Sequence, residues 1–114
     1  MSSRRLPRVN SLLKEEIANI LLKEIDFPKE VLVTVTRVEC SPDLRQAKIY
    51  VSVIPKEKKE RVFKILNNCI YHIQSQLNTR LTMKIVPRIK FVEERKTEEA
   101  ARVEELLEKI KNEL

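Results

Sequence analysis

KEKKERVFKILNNCIYHIQSQLNTRLTMKIVPRIKF, residues 56–91, carries two periodicities in succession. Val62, Ile65, Leu66, Cys69, Ile70, Ile73, Leu77 and Leu81 recur in steps of three and four. That spacing lays one apolar stripe along a helix. The stripe runs through Asn67-Asn68, although consecutive asparagines are poor helix formers. The expectation is one helix with a weak point, or two helices meeting at a kink. The segment that follows, KIVPRIKF, alternates Ile89 and Phe91 with Arg88 and Lys90, the period of a strand. A helix feeding a basic strand is therefore the centre of the fold.

The flanking sequence extends this pattern. Pro7 suits the first turn of a helix, where its missing N–H removes no bond. Val9, Leu13, Ile17, Ile20, Leu21 and Ile25 stripe that helix, and Asp26-Phe27-Pro28 ends it, because proline disfavours a helical residue before it. Val31–Cys40 is rich in β-branched residues and reads as a strand. Ser41-Pro42-Asp43-Leu44 forms a turn. Arg45–Ile54 is the second strand, with Ala47, Ile49, Val51 and Val53 on one face and Lys48, Tyr50 and Ser52 on the other. Arg37 or its neighbours share that second face. Pro55 closes the strand. After a third strand at Arg88–Val92, Thr97 is an N-cap followed by Glu98 and Glu99, where negative charge meets the helix dipole. Val103, Leu106, Leu107, Ile110 and Leu114 stripe the last helix. The predicted fold class is α+β: a two-layer domain with a three-stranded sheet and helices on one face. One domain over residues 1–114 is expected, since no linker or repeat divides the chain.

Composition excludes several function classes. Glycine is absent, so the loops that let backbone approach a phosphate are excluded. Cys40 and Cys69 show no metal-ligand spacing and read as small buried apolar residues. His72 stands alone and reads as a helix-surface side chain. With no clustered acid–base pair, metal set or phosphate loop, the chain is not expected to be an enzyme, and no cofactor or metal is expected. No apolar run approaches the roughly 20 residues of a membrane span. Met1-Ser-Ser-Arg-Arg leads into a polar helix rather than an apolar leader, so the cytoplasm is the expected compartment. Abundant Lys and Glu fit a thermophile's composition.

The net charge is +6, unevenly spread. Residues 1–96 hold 20 basic and 11 acidic side chains, whereas residues 97–114 hold 3 and 6. A cationic body points to a polyanion. A membrane surface fits poorly, because the first helix mixes Glu with Lys on its polar face. Nucleic acid remains. The alternative is a protein–protein interaction module that docks a partner on a sheet edge or on the acidic last helix.

The order helix, strand, strand, kinked helix pair, strand, helix resembles a type II KH domain, an RNA-binding fold. More closely, the chain resembles the bacterial ribosome-binding factor A family over nearly all its length. Three pieces carry the likeness. Arg8-Val9 opens a helix that ends at Glu24-Ile25-Asp26-Phe27-Pro28. Ser41-Pro42-Asp43-Leu44 followed by Ala47-Lys48-Ile49-Tyr50-Val51 is similar to the family's S-x-D-L-x-x-A-x-[VI]-Y-V. Pro87-Arg88-Ile89-Lys90-Phe91 fits its R-x-x-P-x-[LI]-x-F, with Lys84 standing for the arginine.

The resemblance implies a non-enzymatic, monomeric assembly factor without small-molecule substrate. It implies binding to the immature small ribosomal subunit, help with maturation of the small-subunit rRNA end, and importance in the cold. It also implies that an Ala-x-Gly kink replaces the G-x-x-G clamp of other KH domains. Those positions are Cys69, Ile70 and Tyr71 here, so tyrosine stands at the family's glycine, and Asn67-Asn68 offers another local weakness. Without a glycine clamp, binding has to rest on Lys and Arg reaching the phosphates of folded RNA, with strong salt dependence. The candidate RNA-binding residues are Arg45 and Lys48 on the hairpin, Arg80 and Lys84 at the helix end, and Arg88 and Lys90 on the third strand. Arg5 and Arg8, with Arg4, are expected to add a flexible arm to that set.

Overall fold

The computed structural model of this protein describes residues 5–95. Helix α1 (Arg5–Glu24) leads into strands β1 (Leu32–Cys40) and β2 (Gln46–Ile54). A single 3-10 turn at Lys56–Lys58 then enters α2 (Lys59–Asn68), followed by α3 (Ile70–Arg80) and β3 (Arg88–Glu93). The expected last helix from Thr97 lies outside the described residues, as does Arg4. Within them the expected order holds. Pro7 sits in the first turn of α1, which stops just before the Asp26-Phe27-Pro28 segment.

The three strands form one mixed sheet in the order β1-β2-β3. β1 and β2 pair antiparallel, with Val38 opposite Ile49 and Cys40 opposite Ala47. The register shifts between Val35 and Arg37, leaving Thr36 as a bulge of the kind that bends a strand and raises its local twist. β3 lies parallel to β2 on its other side, pairing Ala47 with Ile89, Lys48 with Lys90 and Ile49 with Phe91. A parallel neighbour needs a long crossover, and α2 and α3 supply it.

Period-2 alternation puts Ala47, Ile49, Val51 and Val53 of β2 on the face that the helices cover, together with Ile89 and Phe91 of β3. Leu13, Ile17 and Ile20 come down from α1, Val62 and Leu66 from α2, and Ile73 and Leu77 from α3; all are fully buried. The break at Cys69 lets the two halves of the crossover face different neighbours. α2 packs on β2 and β3, while α3 packs on α1 and β3. Cys69 takes φ −99° and ψ 4°, the sparsely allowed bridge region. Its N–H still donates to the Ile65 carbonyl at 3.0 Å, and its own carbonyl accepts from the Ile73 N–H at 2.9 Å. The helix therefore changes direction without abandoning its hydrogen bonds at that residue. Tyr71 projects from the start of α3 and is 87% exposed.

A chain without glycine must put other residues where φ is positive. Glu30 (φ 66°) and Leu44 (φ 59°) take these positions, at roughly 1–2 kcal/mol each. The turn at Leu44 is held against that strain. The Leu44 N–H donates to the Ser41 carbonyl at 2.9 Å, and the Ser41 N–H donates to the Gln46 carbonyl at 2.8 Å. The Ser41 hydroxyl donates to Asp43 Oδ1 at 2.6 Å.

Leu66, like Val62, is an α2 side chain that is fully buried in the core. Leu66→Ala is expected to destabilise the fold by about 2–5 kcal/mol through lost transfer energy and the cavity left behind. The check is a urea denaturation midpoint. A loss under about 0.5 kcal/mol, the range of surface substitutions, would show that α2 does not pack where the structure puts it.

Candidate nucleic-acid interface

At one end of the two layers, the start of α1, the β1–β2 turn and the loop between α3 and β3 come together. Their side chains enclose an open groove of about 650 Å³. Arg8, Arg45 and Lys84 line it together with Asp43 and the apolar Val9, Leu12, Leu44, Met83 and Ile85. Three cations separated widely in sequence thus converge on one hollow. Arg5 opens α1 at the same end.

The second group lies on the sheet face turned away from the helices. Lys48 and Lys90 are register partners across β2 and β3, and Arg88 sits one alternation further toward the groove, opposite Gln46. The two groups adjoin, because the Arg88 N–H donates to the Arg45 carbonyl at 2.9 Å. Like charges side by side on one sheet face repel, so the Lys48–Lys90 pair itself adds nothing to stability. Among the described residues, Arg8, Arg45, Lys48, Lys84, Arg88 and Lys90 form no ion pair. Carboxylates neighbour two of them without closing an ion pair: Asp43 lines the groove with Arg45, and Glu39 is the register partner of Lys48 on β1. A second hollow of about 480 Å³ wraps the outer edge of β3 beside Lys48, Lys90 and Phe63.

Arg80 stands apart from both groups. Its Nη1 lies 3.7 Å from Glu16 Oε2 on α1, so an existing carboxylate already attends this charge at the end of α3. Arg37 does share the open sheet face, as expected, but it adds little positive field. Its Nε donates to Glu94 Oε2 at 2.8 Å and its Nη1 lies 3.4 Å from Glu39 Oε2. Its guanidinium also stacks 3.7 Å from the centre of the Tyr50 ring. The hydrogen bond to Glu94 holds the Arg37 pKa above its ordinary value. Glu94 is nearly fully buried and accepts a further bond from the Thr36 hydroxyl at 2.9 Å. The bulge at Thr36 thus brings two consecutive β1 side chains onto one carboxylate at the end of β3.

The remaining chemistry-bearing residues stay structural. Cys40 and Cys69 are free and half-buried rather than fully buried; burial pushes the Cys40 thiol up. The Cys40 N–H donates to Asn10 Oδ1 at 3.0 Å, tying α1 to the end of β1. His72 is exposed on α3, with Nε2 3.8 Å from Glu24 Oε1. No group of three or more His, Cys, Asp or Glu side chains among the described residues could hold a metal. No helix among them is long and apolar enough to cross a membrane.

Residues 5–107 match the family model described as ribosome-binding factor A. The chain belongs to that family. A ribosome-binding factor A from Thermodesulfovibrio yellowstonii is 38% identical over 108 residues, spanning 95% of this chain and 92% of the relative. The crystal structure of ribosome-binding factor A from Thermus thermophilus superposes with a TM-score of 0.68, at 24% identity, over 77% of this chain and 94% of that one. Coordinates for the Thermus thermophilus factor, fitted into the cryo-EM map of its 30S complex, give a TM-score of 0.63, again at 24% identity, over 75% and 90% of the two chains. The α+β order read from the sequence is the fold of this family.

Sequence reasoning missed Gln74. From the buried side of α3 its Nε2 donates to the Pro87 carbonyl at 3.0 Å, and its Oε1 accepts from the Ile89 N–H at 2.9 Å. One amide thus grips both sides of Arg88 and sets where β3 begins. A glutamine in a polar helix stretch, with Gln76 two residues on, carries no sequence signal for such a clamp. Gln74→Ala leaves the Ile89 N–H without that partner and is expected to cost about 1–3 kcal/mol, read by urea denaturation. Unchanged stability would mean that the clamp does not anchor β3.

Proposed function

We propose that this protein is a non-enzymatic assembly factor that binds the small ribosomal subunit. In this reading it acts as a monomer in the cytoplasm, assisting late maturation and processing of small-subunit rRNA, most of all in the cold. One observation carries the rRNA contact. Arg8, Arg45 and Lys84 at the groove, with Arg88, Lys48 and Lys90 on the adjoining β2–β3 face, gather six cations that form no ion pair among the described residues. Family membership supports the ribosomal partner, as does the Thermus thermophilus relative seen with its 30S subunit.

The mechanism is electrostatic docking on RNA that is already folded. Each Lys or Arg that neutralises a phosphate releases condensed counterions, so affinity falls steeply with salt. Such contacts fix position and orientation and carry little sequence information. The rigid sheet beneath Lys48, Arg88 and Lys90 holds these charges at set spacings, which favours one RNA shape over others. Nothing in this arrangement moves a proton or breaks a bond; the work is binding.

Replacing Arg45, Lys84, Arg88 and Lys90 together with glutamate is expected to abolish salt-sensitive binding to purified small subunits. Neutral replacement of the same four should lower the slope of log affinity against log salt by about 1 for each cation removed from a phosphate. Arg80→Ala, at the pair with Glu16, should leave that slope unchanged. Subunit co-sedimentation across a salt series makes the measurement. Binding that survives the fourfold reversal would place the interface elsewhere. Capture of a protein partner that persists after nuclease treatment would favour the protein-interaction reading.

A further inference from the structure

Phosphate binding leaves the apolar lining of the groove unexplained. Leu12 is 41% exposed and Ile85 is 65% exposed, and Met83 lines the groove with them. Cations alone would serve an RNA backbone; exposed apolar side chains beside them serve something flat and apolar. The volume falls in the range of roughly 300–1,000 Å³ usual for ligand sites.

The second feature is a carboxylate in the same lining. Asp43 lines the groove, where a negative charge opposes any phosphate. Its Oδ1 is occupied, accepting from the Ser41 hydroxyl at 2.6 Å and from the Arg45 N–H at 3.1 Å. Oδ2 has no donor among the described residues. Those two bonds, Ser41's the stronger influence, hold the Asp43 pKa below its ordinary value, so at neutral pH the group is an acceptor only. Such a group is useful in an RNA site when it faces the donor edge of a base. Guanine offers two adjacent donors there, N1–H and N2–H; uracil flanks its single N–H with two carbonyls.

We propose that the groove accepts the base of one unpaired guanosine, with its face on Leu12, Met83 and Ile85, its N1–H and N2–H converging on Asp43 Oδ2, and its flanking phosphates on Arg8, Arg45 and Lys84. This rests on the rRNA-binding reading and adds sequence preference to it. Sequence-specific RNA contacts are made on unpaired bases splayed out of the helix. The site therefore calls for a guanosine in a loop, bulge or strand end, and it excludes duplex.

The test uses the full chain and four five-nucleotide RNAs, UUGUU, UUAUU, UUCUU and UUUUU, followed by fluorescence anisotropy. UUGUU is expected to bind about tenfold tighter than UUUUU, within the discrimination expected of a two-bond base contact. Asp43→Asn keeps an Oδ1 that accepts from Ser41 and Arg45 but turns the other atom into a donor. It is expected to erase the guanosine preference while small-subunit binding persists. Ile85→Ser, at an exposed position that leaves the core intact, should weaken UUGUU and leave the weak UUUUU binding unchanged. Equal affinity for all four RNAs, or a guanosine preference that survives Asp43→Asn, overturns the proposal. Small-subunit binding measured alongside separates the two levels. If it keeps its salt slope while the pentamers show no preference, the guanosine site fails and the rRNA reading stands; if it is lost as well, both fail. Binding of a Glu- and Leu-rich amphipathic peptide in place of every pentamer would assign the groove to a protein segment and overturn the proposal equally.

Discussion

β3 lies parallel to β2, and the proposed surface depends on that pairing. It sets Lys90 beside Lys48, brings Arg88 to Arg45, and carries the loop with Lys84 toward α1. A short six-residue edge strand does not hold such a position alone. It is fixed at both ends. Gln74 grips Pro87 and Ile89 at the start. At the finish, the Glu94 N–H donates to the Val51 carbonyl at 3.0 Å, and the Glu94 carboxylate accepts from Thr36 and Arg37. Between these points Ile89 and Phe91 bury their side chains under the helices. Charge is thus displayed on one face of β3 because apolar contact secures the other.

The same separation orders the electrostatics. Where cations meet carboxylates, they serve the fold: Arg37 with Glu94 and Glu39, Lys59 with Glu93 at 2.7 Å, Arg80 with Glu16. The six candidate cations without an ion pair gather at one end and on the neighbouring sheet face. Exposed pairs contribute little to stability, so the unpaired group is not explained by stability. The proposed function supplies a polyanionic partner for it.

Much of this was legible in the sequence. Steps of three and four gave α1 and the crossover helices, alternation gave the strands, and the S-P-D-L turn and Pro55 punctuated them. Arg8, Arg45 and Lys84 were picked out singly, and the fold brought them together. Other features left no pattern in one dimension. The bulge at Thr36 inserts a residue without breaking the β-branched run of β1. Positive φ at Glu30 and Leu44 is invisible when glycine, its usual marker, is absent. Arg80 reads like its neighbours until α1 places Glu16 against it. Leu12 and Ile85 sit off the regular stripes, and only the meeting of three separate segments makes them the lining of one groove.

The most direct measurement is site-specific photocrosslinking to purified immature small subunits, with the crosslinked RNA positions read by sequencing. A photoreactive side chain in place of Lys84 or Lys90 should crosslink to small-subunit rRNA at low salt, and lose the signal as salt rises. The same group in place of Leu22, exposed near the far end of α1, should not. Equal crosslinking from Leu22, or none from Lys84 and Lys90, would contradict the account.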